Sequence, residues 1–322
     1  MNNTDKLPRV RLGCMPTPFY KLEQISAKYG RNIYIKRDDL CGVALGGNKV
    51  RKLEYLLAEA KAMGCDTVYT TGGAQSNHAM LTAANAARLG MKCILILKKR
   101  GVTEEKGNII LNRIYGAEVR FMDTDSYDDI YAEIDKDIAK IAEKGRKGYS
   151  IPVGGSNPLG TLGYTNCVEE IKGQSEEMGI KIDKLVSATG SGGTTGGLLL
   201  GCKMYMPEVD VIGIDVGDEP FEEICPHLAK EAAEIIGADL PRREGDFRMI
   251  VHYGEAYAVP NPDDTPYILE LARMEGILLD PIYTGKAFAG MMMAIEKGEI
   301  EGDNIVFVHT GGAAALFAVN LR

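Results

Sequence analysis

Two hydrophobic periods alternate along this chain, and together they place most of its elements. Residues 32–36 and 67–71 are rich in β-branched and aromatic side chains and predict strands, the second running into Gly72-Gly73. Between them Leu53, Leu56, Leu57 and Ala60 recur at helical spacing, so a helix there buries one face. Small residues over 76–89 predict a second helix closed by Gly90. An apolar strand at 91–97, a helix at 105–115 ending at Gly116, and a strand at 119–122 follow. Ile130, Ile134, Ile138 and Ile141 form one stripe of a helix inside the acidic stretch 123–147, whose charges make its solvated face. Residues 149–153 close this block.

A second alternation starts with a helix at 163–173, then a strand at 184–188, a glycine-rich turn, a helix through Leu200, and a strand at 209–215. Residues 221–236 predict a helix. Residues 241–262, dense in proline and glycine, read as an irregular, site-forming segment. A helix at 264–275, a Met-rich helix at 287–297 and a strand at 304–309 end the chain. Such alternation needs crossover connections and parallel sheets. The expected fold is therefore α/β, with two parallel-sheet domains and the active site in the cleft between them.

Composition narrows the function. The 322 residues fit two moderate domains, and 45% apolar with 25% charged residues supplies a full core. A net charge of −8 disfavours nucleic acid and anionic membranes, which call for a basic face; a small-molecule substrate fits better. Seven scattered cysteines with no Cys-x-x-Cys pair read as reduced thiols of a cytoplasmic protein, and no metal site is expected. From the polar N-terminus and short apolar runs, neither export nor membrane insertion is expected.

Lys49 carries the strongest chemical signal. It lies between Gly46-Gly47 and the start of an amphipathic helix, where glycines admit a bulky group and unpaired helix N–H groups add positive potential. Burial and the adjacent Arg51 and Lys52 should both push its amine toward the neutral form that attacks a carbonyl, which is Schiff-base chemistry. A solvated basic helix start is the plainer reading of the same residues.

Other segments carry chemistry of their own. Thr189-Gly190-Ser191-Gly192-Gly193-Thr194-Thr195 joins a strand to a helix and suits a phosphate, through backbone N–H groups and hydroxyls. The near match Gly190-x-Gly192-x-x-x-Gly196, with Asp215 ending the next strand, also leaves open a nicotinamide dinucleotide. Gln75-Ser76-Asn77-His78 follows a strand and a double glycine; its N–H groups could hold a carboxylate, or Ser76 or Asn77 could simply cap the helix. Tyr283, Thr284 and Thr310 sit at turn or strand ends of the kind that line clefts, although a core tyrosine and a capping threonine fit equally.

Taken together, Ile33-Tyr34-Ile35-Lys36-Arg37-Asp38-Asp39, Gly46-Gly47-Asn48-Lys49-x-Arg51-Lys52-Leu53-Glu54, Gln75-Ser76-Asn77-His78, Ile151-Pro152-Val153-Gly154-Gly155-Ser156 and His309-Thr310-Gly311-Gly312 resemble the fold type II pyridoxal-phosphate enzymes. The likeness is to their D-cysteine desulfhydrase and 1-aminocyclopropane-1-carboxylate deaminase branch, with a tryptophan synthase β-like fold, and covers nearly the whole chain. It implies a large cofactor-binding domain at 1–48 and 156–322, a small inserted α/β domain at 49–155, and a homodimer. By position it implies that Lys49 holds pyridoxal 5'-phosphate covalently and moves the Cα proton, and that Asn77 bonds the cofactor's ring oxygen. The 189–195 loop would bind the phosphate and Thr310 the ring nitrogen. Gln75, Ser76, Asn77 and His78 would bind the substrate carboxylate, Thr284 would touch the substrate, and Tyr283 and Tyr257 would flank it as acid–base and orienting groups.

In that resemblance the cyclopropane deaminases carry glutamate in place of Thr284 and leucine in place of Thr310. Both differences point to D-cysteine β-elimination to pyruvate, ammonia and hydrogen sulfide. L-Cysteate sulfo-lyase and cyclopropane deaminase are the alternatives, and a sulfonate leaving group would call for cationic contacts. A nicotinamide-dependent oxidoreductase and a non-catalytic ligand-binding module are the readings from other classes; both leave Lys49 unexplained.

Overall fold

Strand ends from two separate sheets line one cavity in this protein. The computed structural model describes residues 3–100, 104–252, 254–256 and 258–318. Among these, the strands in chain order are β1 (Phe19–Lys21), β2 (Asn32–Arg37), β3 (Thr67–Gly73), β4 (Lys92–Lys98), β5 (Glu118–Met122), β6 (Gly148–Ser150), β7 (Lys184–Thr189), β8 (Asp210–Asp215), β9 (Phe247–Val251) and β10 (Asn304–His309). One sheet has the order β1-β2-β10-β7-β8-β9, the other β5-β4-β3-β6. All pairings are parallel except β1 with β2.

Helices cover both faces of the larger sheet, as parallel strands require. Phe288, Met291 and Met292 of the helix Thr284–Glu296 pack with Ile33, Ile35, Val186 and Phe307 on one side. Cys167, Val168 and Ile171 of the helix Thr165–Met178 pack with Leu185, Val211 and Val306 on the other. The smaller sheet is covered by the helices Lys49–Ala62 and Asn77–Arg88, whose Leu53, Leu56, Leu57, Ala79 and Leu81 join Val68, Leu95 and Leu97 in a continuous core. Ile130 and Ile134 of the expected isoleucine stripe are fully buried in the helix Tyr127–Ala142, and Ile138 and Ile141, partly buried, pack against the same cluster. Among the described residues no helix is long and apolar enough to cross a membrane.

The structure corrects the reading at several places. The 241–262 segment contains β9, paired with β8 from Val211↔Phe247 to Asp215↔Val251. As an edge strand it leaves Arg248 and Val251 exposed, so its alternation is weak in the sequence. The strand β1 and the short helix Glu23–Tyr29 carry no long apolar run and were not foreseen. The Met-rich helix begins at Thr284, three residues before the expected start, which makes Tyr283 its N-cap. The helix expected at 163–173 begins at Thr165, after a short 3-10 turn, and continues to Met178.

Candidate active site

Lys49 is the first residue of its helix because the chain before it is folded back on itself. Gly46 (φ 72°) and Gly47 (φ 133°) take backbone conformations that side chains disfavour, and a Cβ on Gly46 would lie 1.7 Å from the Asp39 carbonyl. The turn is pinned to the end of β10 by the Asn48 N–H, which donates to the Thr310 carbonyl at 3.0 Å. The Lys49 amine thereby enters the wall of a cavity of about 320 Å³, within the roughly 300–1,000 Å³ typical of small-molecule sites. Desolvation inside that wall pushes it down to about 8.

The cause is burial alone, which corrects the expected help from Arg51. That guanidinium turns away from the cavity into a two-pronged ion pair with Asp38 at 2.8 Å and a second with Glu170 at 2.8 Å. A pH prediction follows. Only the neutral amine attacks an aldehyde, so the rate at which Lys49 condenses with an aldehyde should rise with pH and be half-maximal near pH 8. A midpoint at an ordinary lysine's value of about 10.4 would contradict the burial argument.

Lys52, one turn further along, is fully buried and was missed as a site residue. Its ammonium donates to the Gly154 carbonyl at 3.1 Å and to Ser156 Oγ at 2.9 Å. Among the described residues no carboxylate pairs with it, and burial together with Lys49 pushes its pKa well below the usual value. Directly above lies the first turn of the helix Gly193–Tyr205. A Cβ on Gly193 would meet the Lys52 amine at 2.8 Å and Ser156 Oγ at 2.7 Å, so only glycine leaves this cradle open. Ser191 Oγ meets Ser156 Oγ at 2.9 Å, Thr194 Oγ1 accepts from Asn48 Nδ2 at 2.9 Å, and Thr195 Oγ1 is held by Thr189 Oγ1 at 2.6 Å. A buried amine without a counter-charge, facing a helix N-terminus, is built to take an anion.

Gln75, Ser76, Asn77 and His78 all line the same cavity. Ser76 also caps its helix, its Oγ accepting from the Ala79 N–H at 3.1 Å. The Gln75 side chain is occupied by Lys106 and Asn108, and Asn77 Oδ1 accepts from Asn108 Nδ2 at 2.8 Å. His78 is buried against Thr70 Oγ1, 2.9 Å from Nε2, and desolvation holds its pKa well below the usual value, so it is neutral.

Thr189, Gly190, Ser191, Gly192, Thr194, Thr195, Tyr283 and Thr310 complete the predicted set that reaches the cavity. Gly193 lies just behind the wall, and Thr284 is not among the lining residues. The Thr284 hydroxyl instead donates to buried Asp280 at 2.7 Å, and the same carboxylate accepts from the N–H groups of Ile282, Tyr283 and Thr284 at 2.8–2.9 Å. Asp280 so sets the turn that carries Tyr283. Tyr257 lies outside the described residues; its neighbour Ala258 is in the wall. Asp215, the acid that a dinucleotide would need, is not among the lining residues, and its carboxylate accepts from the Gly217 N–H at 2.9 Å. Lys98, Lys99 and Arg100, at the end of β4, form an unforeseen basic side of the cavity.

The description "Pyridoxal-phosphate dependent enzyme" matches residues 10–311. The chain belongs to this family. A Pyrococcus abyssi protein named provisionally as 1-aminocyclopropane-1-carboxylate deaminase is 41% identical over 315 residues, covering 97% of this chain and 94% of its own. The D-cysteine desulfhydrase of Klebsiella pneumoniae is 39% identical over 324 residues, covering 99% and 98%. A crystal structure described as that of an ACC deaminase homologue superposes with a TM-score of 0.92 at 41% identity, covering 98% and 95%.

The residues present fit the family's cofactor. It needs an amine for its aldehyde and an anion site for its phosphate; Lys49 lines the cavity and could supply the first, and the Lys52–Gly193 cradle lies just behind the Ser191–Thr194 stretch of the same wall and could supply the second. Lys52→Met should therefore weaken pyridoxal-phosphate binding by about 10- to 100-fold, the range for a charge-assisted hydrogen bond. The stripped protein should at the same time melt no lower than wild type, since a desolvated amine has been removed. Equilibrium titration and thermal melting of the two forms check the opposite signs.

Proposed function

We propose that this protein is a pyridoxal-phosphate-dependent lyase that eliminates the thiol of D-cysteine, giving pyruvate, ammonia and hydrogen sulfide. One observation carries the choice within the branch: among the described residues that line the cavity there is no aspartate or glutamate. The group facing the ring nitrogen in this reading is the Thr310 hydroxyl, which offers a neutral hydrogen bond and no charge to keep the ring protonated. Elimination tolerates that weak assistance because its electrons leave with the β-substituent, whereas opening a cyclopropane demands more.

When bound, the cofactor supplies the electron sink for the Cα carbanion. Lys49 would hold it, yield it to the substrate's amino group, and then take the Cα proton; an amine near pKa 8 suits that task at neutral pH. Ser76 Oγ and the N–H groups of the Gln75–His78 turn would hold the substrate carboxylate. Tyr283 would stand beside the departing sulfur. The C–S bond breaks as hydrosulfide leaves, and water hydrolyses the released 2-aminoacrylate to pyruvate and ammonia. The reading includes a cytoplasmic homodimer, supported by seven unpaired thiols and by the family resemblance.

A second reading, elimination of sulfite from cysteate, is favoured by the basic side of the cavity. Lys98 is almost fully buried with its ammonium 3.4 Å from the centre of the Tyr127 ring, and Lys99 and Arg100 extend the charge outward, Arg100 paired with Asp125 at 2.7 Å. Initial rates with D-cysteine, L-cysteine, L-cysteate and 1-aminocyclopropane-1-carboxylate, read as pyruvate, 2-oxobutyrate, sulfide and sulfite, separate the readings. D-Cysteine foremost, with sulfide and pyruvate in equal amounts, is the expected result. Sulfite from cysteate as the main product would select the second reading, and 2-oxobutyrate as the main product would reject both.

A further inference from the structure

We propose that Asn108 is a positioning residue that fixes the Asn77 amide with its NH2 group turned into the cavity, as a donor to the ring oxygen of the cofactor. The argument is one of donors and acceptors. Asn108 is fully buried at the start of the helix Asn108–Ile114, and its side-chain amide lies 2.8 Å from the Gln75 carbonyl and 2.8 Å from the Asn77 amide. A backbone carbonyl can only accept, so the Asn108 atom beside it must be the NH2 nitrogen. The second hydrogen of that nitrogen points to Asn77, which must then present its oxygen. Asn77 Nδ2 is left at the opposite edge of the amide from Asn108, and no described residue accepts from it.

The clamp is itself held. The Asn108 backbone N–H donates to Gln75 Oε1 at 2.8 Å, and the Gln75 Nε2 donates to the Lys106 carbonyl at 2.9 Å. The Gln75–Asn77 turn and the start of the Asn108 helix are thus locked together across 31 residues of sequence. Without this lock an asparagine amide is free to turn over, and it would offer the ring oxygen either a donor or a repelling acceptor.

The inference rests on the cofactor assignment and not on the choice of substrate. It is tested on the full-length protein stripped of cofactor, by equilibrium titration with pyridoxal phosphate and with its 3-deoxy analogue, which lacks the ring oxygen. Asn108→Asp can no longer donate, so Asn77 should turn over; binding of pyridoxal phosphate should weaken about 10- to 100-fold, and binding of the 3-deoxy analogue by less than about threefold. Asn77→Ala should show the same contrast, and the double variant should be no weaker than Asn77→Ala alone. Asn108→Ser, too short to reach Asn77, repeats the experiment with less disturbance should the aspartate variant not fold. Equal weakening of both cofactors, no weakening of either, or losses that multiply in the double variant would overturn the proposal. Wild-type protein that binds neither cofactor would overturn the cofactor assignment and this inference with it.

Discussion

Lys49→Ala is expected to leave a folded protein whose turnover of the proposed substrate, D-cysteine, falls by about 10²- to 10⁴-fold, the range for loss of a positioned general base, with a further loss from the missing covalent anchor. The side chain lines a cavity and makes no ion pair among the described residues, so the helix behind it should be undisturbed. Far-UV circular dichroism and thermal melting of the variant should match wild type. Steady-state assay with added primary amines then separates the two losses, because a small amine can restore proton transfer without restoring the anchor. Turnover within threefold of wild type would remove Lys49 from the chemistry.

The largest effect on stability is expected two residues away. Arg51 is fully buried and donates from Nε and Nη2 to Asp38 and from Nη1 and Nη2 to Glu170, and Asp38 also accepts from Tyr164 Oη at 2.6 Å and Thr17 Oγ1 at 2.9 Å. Lys36, also buried, pairs with Glu170 at 2.8 Å, so two cations balance two anions. The Arg51 charge holds Asp38 below the usual carboxylate range despite its burial. Arg51→Met leaves two carboxylates against one lysine and should cost about 3–5 kcal/mol, read as a lower midpoint in urea unfolding. Arg51→Lys keeps the charge but loses the fork and should fall between. A loss under about 1 kcal/mol for the methionine variant would show that this network does not hold the start of the Lys49 helix in place.

That network also shows what sequence reading can and cannot reach. Arg51 and Lys52 stand side by side, and from the sequence both read as charges acting on Lys49. Helical geometry sends them to different places, Arg51 to Asp38 just after β2 and to the Thr165 helix, Lys52 beneath the Gly193 turn. Their partners are 13 to 119 residues away, and nothing local to either marks the difference. The helices and parallel strands of the core were legible because their apolar periods are long and regular. The edge strand β9 was not, because half of it faces solvent.

Site residues followed the same division. Gly46-Gly47 and Gly190–Gly193 stand out in the sequence because backbone conformation or close approach demands glycine there, and of the Gly72-Gly73 pair it is Gly72, whose Cβ would meet Ser76 Oγ at 2.6 Å, that is constrained. Asn108 and Lys98 gave no such signal: one fell inside the helix expected at 105–115 and the other just past the strand expected at 91–97. Thr284 was legible as important but for a different partner, since the helix begins earlier than its apolar stripe and its first hydroxyl is taken by Asp280.

The measurement closest to the central claim is chemical trapping of the holoprotein with borohydride, followed by peptide mass mapping. Reduction makes the bond between cofactor and amine permanent, and the cavity offers more than one buried amine to which it could attach. The account predicts a pyridoxyl-phosphate group on Lys49 alone, with Lys52 and Lys98 unmodified and no label in Lys49→Ala. A label on Lys52 or Lys98 in the wild-type protein, or none on any lysine, would contradict it.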